Sequence, residues 1–290
     1  MTPRQKRHWL GFAGVFGVPL VWTSLFLLIP YAVMLAVSFW TRKFPLFVPD
    51  FQFGNFRQVF ADPQYLEVLL RTGKIAALVS VFALALGYPL AYFLIFIVRT
   101  AKVRNFLYMV VIVPLWVSYL LRAYVWKIIL GTGGVLNSFL MWTGIIDQPS
   151  GLFLYNQTAM IITLTYIFIP FMVMPIYTAL EKIPPRLIEA SHDLGEGPFW
   201  TFLRVVLPLS WGGVVAGATL TFCLAFGDFV APSLVGGPDG MLVANTVQTQ
   251  FGAALNWPLG SALSTVILLL VLTIITISER SERYGKIDLD

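Results

Sequence analysis

Charge is what this sequence most lacks. Of its 290 residues only 11% are Asp, Glu, Lys or Arg, while 58% are hydrophobic. A soluble domain carries about 25% charged residues, because its surface has to be held in water. The deficit excludes an ordinary water-soluble globule and points to an integral membrane protein. Cysteine is nearly missing as well. Cys223 stands alone in the apolar run TLTFCLAFG, so it reads as a small packing group, with no intrachain disulfide and no cysteine-based metal site. The two histidines, His8 and His192, have no HExxH spacing. There is no G-x-x-x-x-G-K-[ST] phosphate loop, and GGPDG at 236–240 lacks the lysine and following helix of one and reads as a turn. No G-x-S-x-G nucleophile elbow occurs either. Neither catalysis nor a bound cofactor or metal is expected of this chain.

What the sequence has is long apolar runs. The start, TPRQKRHW followed by an apolar stretch, superficially resembles a signal peptide. No charge occurs from Trp9 to Thr41, however, which is far longer than the apolar region of about 7–15 residues that such a peptide carries, and no A-x-A site follows. A retained first span is expected. A helix needs about 20 mostly apolar residues to cross a bilayer. Stretches of that kind lie near 12–39, 75–98, 105–126, 157–180, 209–231 and 260–278, so the expectation is a single all-α membrane domain over 1–290 with six spans. A further apolar piece, 128–146, contains GTGG and Asn137 and reads as a short interfacial or re-entrant helix on the outer side.

The basic residues orient these spans. With the N-terminus inside, the cytoplasmic segments hold Arg4, Lys6, Arg7, Arg99, Lys102, Arg104, Lys182, Arg186, Arg204, Arg280, Arg283 and Lys286. The outer side holds Arg42, Lys43, Arg57, Arg71 and Lys74, and twelve against five is the bias expected of cytoplasmic loops. Both termini are therefore expected inside. The net charge of +5 lies between apolar runs and fits a membrane face rather than nucleic acid. Trp9, Trp40, Trp142 and Trp257 fall near span ends, where aromatic belts form. Pro19, Pro30, Pro89, Pro114, Pro170 and Pro175 interrupt spans, either as tolerated membrane prolines or as points where the bundle flexes. Gly213 and Gly217, spaced G-x-x-x-G, predict a close helix contact.

Between the fourth and fifth spans lies EKIPPRLIEASHDLGEGPFWTFLRVVLPLS, residues 181–210. Pro184–Pro185 ends one helix and suits the first turn of another. Arg186–Leu194 reads as a short helix with Leu187, Ala190 and Leu194 on one face. Gly195 breaks it, Gly197–Pro198 opens a second segment with Phe199, Phe202, Leu203 and Val206 on its apolar side, and Pro208 is expected to close that segment. This stretch resembles the EAA loop of the permeases of ABC importers, whose pattern is E-A-A, three residues, G, nine residues, then I-x-L-P. Here it reads Glu189-Ala190-Ser191, Gly195, then Val205-Val206-Leu207-Pro208, with Ser191 for the second alanine and Val205 for the isoleucine.

The resemblance implies a type I importer permease bundle in the bacterial cytoplasmic (inner) membrane. It implies that Glu189, Ala190, Ser191, Asp193, Gly195, Leu207 and Pro208, in a coupling loop over 181–208, dock on a separate ATP-binding subunit dimer. ATP and Mg would be bound there, on the partner. It also implies a second, related permease in a heterodimer, an extracytoplasmic solute-binding protein, and alternating access. LLRAYVWKIILGTGGVLNSFL, YIFIPFMVMPIYTALEKIPPRLIEASHDLG, FGDFVAPSLVGG and NWPLGSALS look like the spermidine/putrescine-type permeases. Related members handle iron, opines, phosphonates or other small polar solutes, which keeps those cargoes open.

Asp228 is the one acidic residue within an expected span. A charge there costs about 2.5–3.5 kcal/mol on insertion scales, which makes it a candidate functional residue. It could meet a polyamine together with the aromatic faces of Trp126 or Trp257, pair with Arg122, or cap a helix before Ala231–Pro232. Arg122 and Lys127 suit anion binding, or snorkel to the interface. An autonomous secondary transporter would carry several buried ion-coupling residues, and only Asp228 qualifies. A membrane enzyme would need clustered polar groups, and none is visible.

Overall fold

The computed structural model describes residues 15–284 apart from residue 44, without side-chain surroundings for Asp239 and 282–284. Residues 12–14 of the first expected span, His8, Trp9, Arg4, Lys6, Arg7 and Lys286 lie outside the described residues, as does the side chain of Arg283. In a bilayer each backbone N–H and C=O must find a partner within the chain, and helices satisfy them locally. In chain order the helices are α1 (Val15–Ser38), α2 (Gly54–Ala61), α3 (Pro63–Ile97), α4 (Ala101–Ile112), α5 (Tyr119–Leu130), α6 (Val135–Trp142), α7 (Gln157–Glu181), α8 (Pro185–Asp193), α9 (Pro198–Phe226), α10 (Val243–Phe251) and α11 (Trp257–Tyr284). Six stretches among the described residues are long and apolar enough to cross a membrane: α1, α3, Tyr119–Trp142, α7, α9 and the Trp257–Ser281 part of α11.

Several expected elements differ. The third span, expected over 105–126, is not continuous. Val113 N–H still reaches Met109 O, but Val113–Trp116 tightens into a 3-10 turn, and Val117 and Ser118 are extended before α5 begins. Pro114 lies in that turn, where its missing N–H cannot extend the ladder. The span-like stretch is therefore Tyr119–Trp142, so the helix expected within 128–146 joins α5 in it through α6. The second span also starts earlier than expected, at Pro63 rather than 75. By contrast, Pro89, Pro170 and Pro175 sit inside unbroken helices.

Pro208 does not close its segment. Phe202–Val206 forms a π-helical turn in which Leu207 N–H reaches Phe202 O, five residues back. That wider register absorbs the bond a proline removes and relieves the ring's clash with the preceding turn, so α9 runs on to Phe226. The same device precedes Pro30 in α1, where Ser24–Leu28 is a π-helical turn and Ile29 N–H reaches Ser24 O.

The chain divides into two compact units. One comprises the described residues of Met1–Pro63 with Val247–Leu269. Here no residue in the apolar window of α1 is buried. A hairpin absent from the all-α expectation follows, β1 (Thr41–Lys43) with β2 (Leu46–Val48), antiparallel with Arg42 opposite Phe47. The Asn55 amide of α2 donates to Ser38 O and Trp40 O, both at 2.8 Å. Phe39 packs against Phe53 and Phe56, each at 5.2 Å between ring centroids.

The second unit comprises Gln64–Thr246 with the described residues of Leu270–Asp290. Its centre is α7 against α9. A Cβ on Gly213 would lie 2.6 Å from Pro175 O, and one on Gly217 2.9 Å from Met172 O. The G-x-x-x-G pair thus lets the two backbones touch. Gly87 brings α3 against the same place, with Met172 and Val173 side chains 3.2 Å from where its Cβ would be. Ala83, Leu94, Ile176, Leu180 and Val214 fill the core. Lipid is as apolar as these side chains, so the helices are held by close packing and polar contacts rather than by exclusion of water. One such contact is the buried Tyr88–Ser210 hydroxyl pair, 2.8 Å apart.

Candidate docking loop and solute path

The loop 181–208 is built by local rules. Pro184 is extended and Pro185 takes the first turn of α8. The helix ends where Gly195 turns left-handed at φ +84°. Gly195 N–H reaches His192 O at 2.9 Å and Glu196 N–H reaches Ser191 O at 3.1 Å, the paired closure of a glycine C-cap. Gly197 and Pro198 then start α9. The two helices are pinned by the buried Ser191 and Thr201 hydroxyls, 3.0 Å apart, and by an ion pair between Arg204 and Glu196. Arg204 also lies over the Trp200 ring at 4.7 Å.

This geometry corrects the expected apolar face of α8. Leu187, Ile188 and Ser191 turn inward, whereas Ala190 and Leu194 turn out. The reason is the Ser191–Thr201 contact, which sets the rotation of α8 against α9. The outcome is an exposed patch of Leu194 (85% exposed), Phe199 (67%), Trp200 and Leu203, with Glu189, Asp193, Gly195 and Pro208 also exposed around the loop. Leu207 is half-buried. Apolar surface rimmed by polar groups is what a protein partner or a membrane surface covers.

The second candidate region lies just past α9: the fifth span, expected over 209–231, is Pro198–Phe226, so Asp228 sits beyond its end rather than within it. Asp228 is 8% exposed, and its carboxylate accepts from Ala231 N–H at 3.1 Å and Val230 N–H at 3.4 Å, capping the helical turn that leads into Pro232–Gly236. Arg122 of α5 is equally buried. One of its terminal nitrogens donates to Ile167 O of α7 at 3.2 Å, and its guanidinium lies 5.8 Å from the Tyr119 ring centre. No ion pair joins Arg122 and Asp228. Tyr119 interacts electrostatically with both, although its hydroxyl has no partner at hydrogen-bond geometry. Tyr119 carried no signal in the sequence, where it is one aromatic among many.

Trp126, one turn along α5 from Arg122, packs 5.4 Å from Tyr166 and lines an apolar cavity of about 580 Å3 with Leu78, Phe82, Thr165 and Tyr166. Lys127 lies 5.7 Å from the Tyr155 ring. Trp257 belongs to the other unit, where it stacks on Phe47 at 6.0 Å and meets Phe251 edge-on. Asn245 is also buried. Its amide donates to Phe229 O and Ser233 Oγ, and its oxygen accepts from Leu242 N–H, which ties 228–246 together. Among the described residues no group of three His, Cys, Asp or Glu could hold a metal.

Residues 83–279 match the family described as binding-protein-dependent transport system inner membrane component. The chain is 38% identical over 263 residues to the spermidine/putrescine transport system permease protein PotB of Escherichia coli K12, covering 90% of this chain and 94% of that protein. It is 34% identical to the inner membrane ABC transporter permease protein YdcU of the same strain, over 87% of this chain and 84% of that one. Among solved structures it resembles a chain of a bacterial alginate ABC transporter in complex with an alginate pentasaccharide-bound periplasmic protein, with a TM-score of 0.79 at 18% identity over 97% and 96% of the two chains. At that identity the likeness speaks for the fold, and the fold is that of an ABC importer permease. The multi-span chain thus belongs to the family of binding-protein-dependent inner membrane components, and it is a permease subunit of an ABC importer, not an enzyme.

Proposed function

We propose that this permease forms part of the path for a polyamine such as spermidine or putrescine. The observation that carries the reading is the likeness to spermidine/putrescine permeases, which extends over almost the whole of both chains. The loop 181–208 is the docking element for an ATP-binding subunit. Its left-handed Gly195, its Ser191–Thr201 pin and its exposed Leu194, Phe199 and Trp200 give a rigid, partly apolar knob, which suits a groove on a partner. Glu189, Ala190, Asp193 and Gly195 contact that partner, Ser191 holds the knob together, and Leu207 and Pro208 carry it into the rest of α9. The loop and both termini face the cytoplasm, in keeping with the basic residues. ATP and Mg bind the partner dimer, and hydrolysis occurs there.

One chain offers one such loop, whereas an ATPase dimer has two faces. A second, related permease therefore completes the assembly, and an extracytoplasmic binding protein delivers the solute. ATP binding closes the ATPase pair, the docked knobs move, and the helices rock between inward and outward access. Along the path, Asp228 meets a cationic group of the solute, and Arg122 and the aromatic face of Trp126 border its passage.

The test is to reconstitute the whole transporter in lipid and measure ATPase stimulation by its binding protein with spermidine, putrescine, ferric ion and an aminophosphonate. Stimulation by the polyamines alone is expected. Stimulation by ferric ion or the aminophosphonate, with none by polyamines, overturns the cargo assignment.

A further inference from the structure

We propose that Arg122 is a built-in counter-ion of Asp228, exchanged for the cationic group of the solute as the transporter cycles. The inference rests on the reading that Asp228 lies on the solute path. Both side chains are 8% exposed, Arg122 in the span-like stretch Tyr119–Trp142 and Asp228 just past the end of α9, and an ionised group buried there is held only where something compensates it. Neither is compensated fully. Asp228 has two backbone N–H groups from its own cap, Val230 and Ala231, but no cation. Arg122 gives one terminal nitrogen to Ile167 O, while its Nε has no acceptor.

Tyr119 stands with both. Its ring lies 5.8 Å from the guanidinium, and its side chain interacts with the carboxylate, so the two opposite charges share one neighbour without meeting. They come from different elements, α5 and the turn after α9, and alternating access requires elements of the bundle to shift. With the guanidinium on Ile167 O, the buried Asp228 carboxylate has no cation of its own, so a solute ammonium that reaches it meets no competitor. With α5 and the 228–231 turn drawn together, the free edge of the guanidinium reaches the carboxylate and displaces that ammonium onward. A permanent ion pair would shut the path to cations, and a lone carboxylate would hold a polycation too well. Exchange avoids both. A fixed positive charge suits the task, since it persists at every step of the cycle.

The experiment uses the complete transporter in proteoliposomes, comprising wild type, Arg122→Gln, Arg122→Lys, Asp228→Asn and the double variant Arg122→Gln/Asp228→Asn. Two quantities are read: the maximal ATP-driven uptake rate of spermidine, and the spermidine retained by the complex after washing. Arg122→Gln is expected to lower the rate about tenfold and raise retention, with Arg122→Lys near wild type. In the Asp228→Asn background the same Arg122→Gln change should alter the rate by less than about twofold, which marks the two residues as coupled. Equal losses in both backgrounds, or lower rather than higher retention, would make Arg122 a packing residue and overturn the proposal. Unchanged spermidine uptake in Asp228→Asn would instead remove Asp228 from the path, a separate failure that takes the proposal with it. If Arg122→Gln does not co-purify with its partner subunits, Arg122→Lys decides. A tenfold loss in an assembled Arg122→Lys complex that persists in the Asp228→Asn background refutes the exchange.

Discussion

Replacing Gly195 tests the docking knob at its hinge. The residue sits at φ +84°, and nothing lies within 4 Å of the place a Cβ would occupy, so an added methyl meets no neighbour. The cost of Gly195→Ala is therefore the backbone's alone, about 1–2 kcal/mol for an L-residue held left-handed. The two bonds that close the helix, Gly195 N–H to His192 O and Glu196 N–H to Ser191 O, are made only in that conformation. A penalty of this size lowers the ratio of closed to open knob by a factor of about 5–30. If the knob is what the ATP-binding subunit grips, the affinity of that subunit for the permease pair in nanodiscs should fall, by up to the same factor. ATP-driven uptake should fall with it at limiting ATPase. Gly195→Asn is the control, since asparagine visits the left-handed region at lower cost and should lose markedly less. Wild-type affinity in Gly195→Ala, or equal losses in both variants, would refute the reasoning.

Other substitutions test the frame that holds these regions. Gly213→Val should destabilise the α7–α9 contact by about 1–3 kcal/mol, because its Cβ would meet Ala179 Cβ at 2.5 Å and Pro175 O at 2.6 Å and the backbone oxygen cannot yield. The check is a lower temperature for loss of the monodisperse complex in detergent. Gly73→Ala, with nothing within 4 Å of its added carbon, should leave that temperature unchanged or slightly raised. Asn137 is wholly buried, donating to Gly131 O and Ser150 O and accepting from Ser150 N–H. Asn137→Ala should cost about 1–3 kcal/mol and expose 143–156 to limited proteolysis, and an unchanged cleavage rate would contradict this.

The long apolar runs were legible in the sequence because the shortage of charge between basic clusters is a direct consequence of a lipid solvent. So was the outline of the loop 181–208, since Pro185, Gly195 and Pro198 act through local backbone geometry. Gly213 and Gly217 were readable for the same reason, as small residues one turn apart. What the chain hid depends on partners far away. Pro114 coincides with a break whereas Pro89, Pro170 and Pro175 do not, and nothing in the local composition distinguishes them. Pro208 looked like a terminator because its effect is absorbed by the π-helical turn at Phe202–Val206, which no residue pattern announces. The rotation of α8, which turns Ala190 and Leu194 outward, is set by the contact of Ser191 with Thr201, ten residues on. Tyr119, which interacts with Asp228 and also with Arg122, comes from a helix more than a hundred residues before Asp228, so a search along the chain could suggest a pairing of Asp228 with Arg122 but not reveal the tyrosine.

The measurement that tests the central claim most directly is ATP-driven spermidine uptake into proteoliposomes holding the complete transporter, with wild-type chain or with Glu189→Lys. Glu189 is exposed on the knob, so the variant should insert and fold normally while placing the wrong charge against the ATP-binding subunit. The account predicts uptake that requires ATP in the wild type and is lost in the variant, with insertion unchanged and ATP hydrolysis no longer coupled to transport. Uptake at the wild-type rate in Glu189→Lys, or wild-type uptake without the ATP-binding subunits, would contradict it.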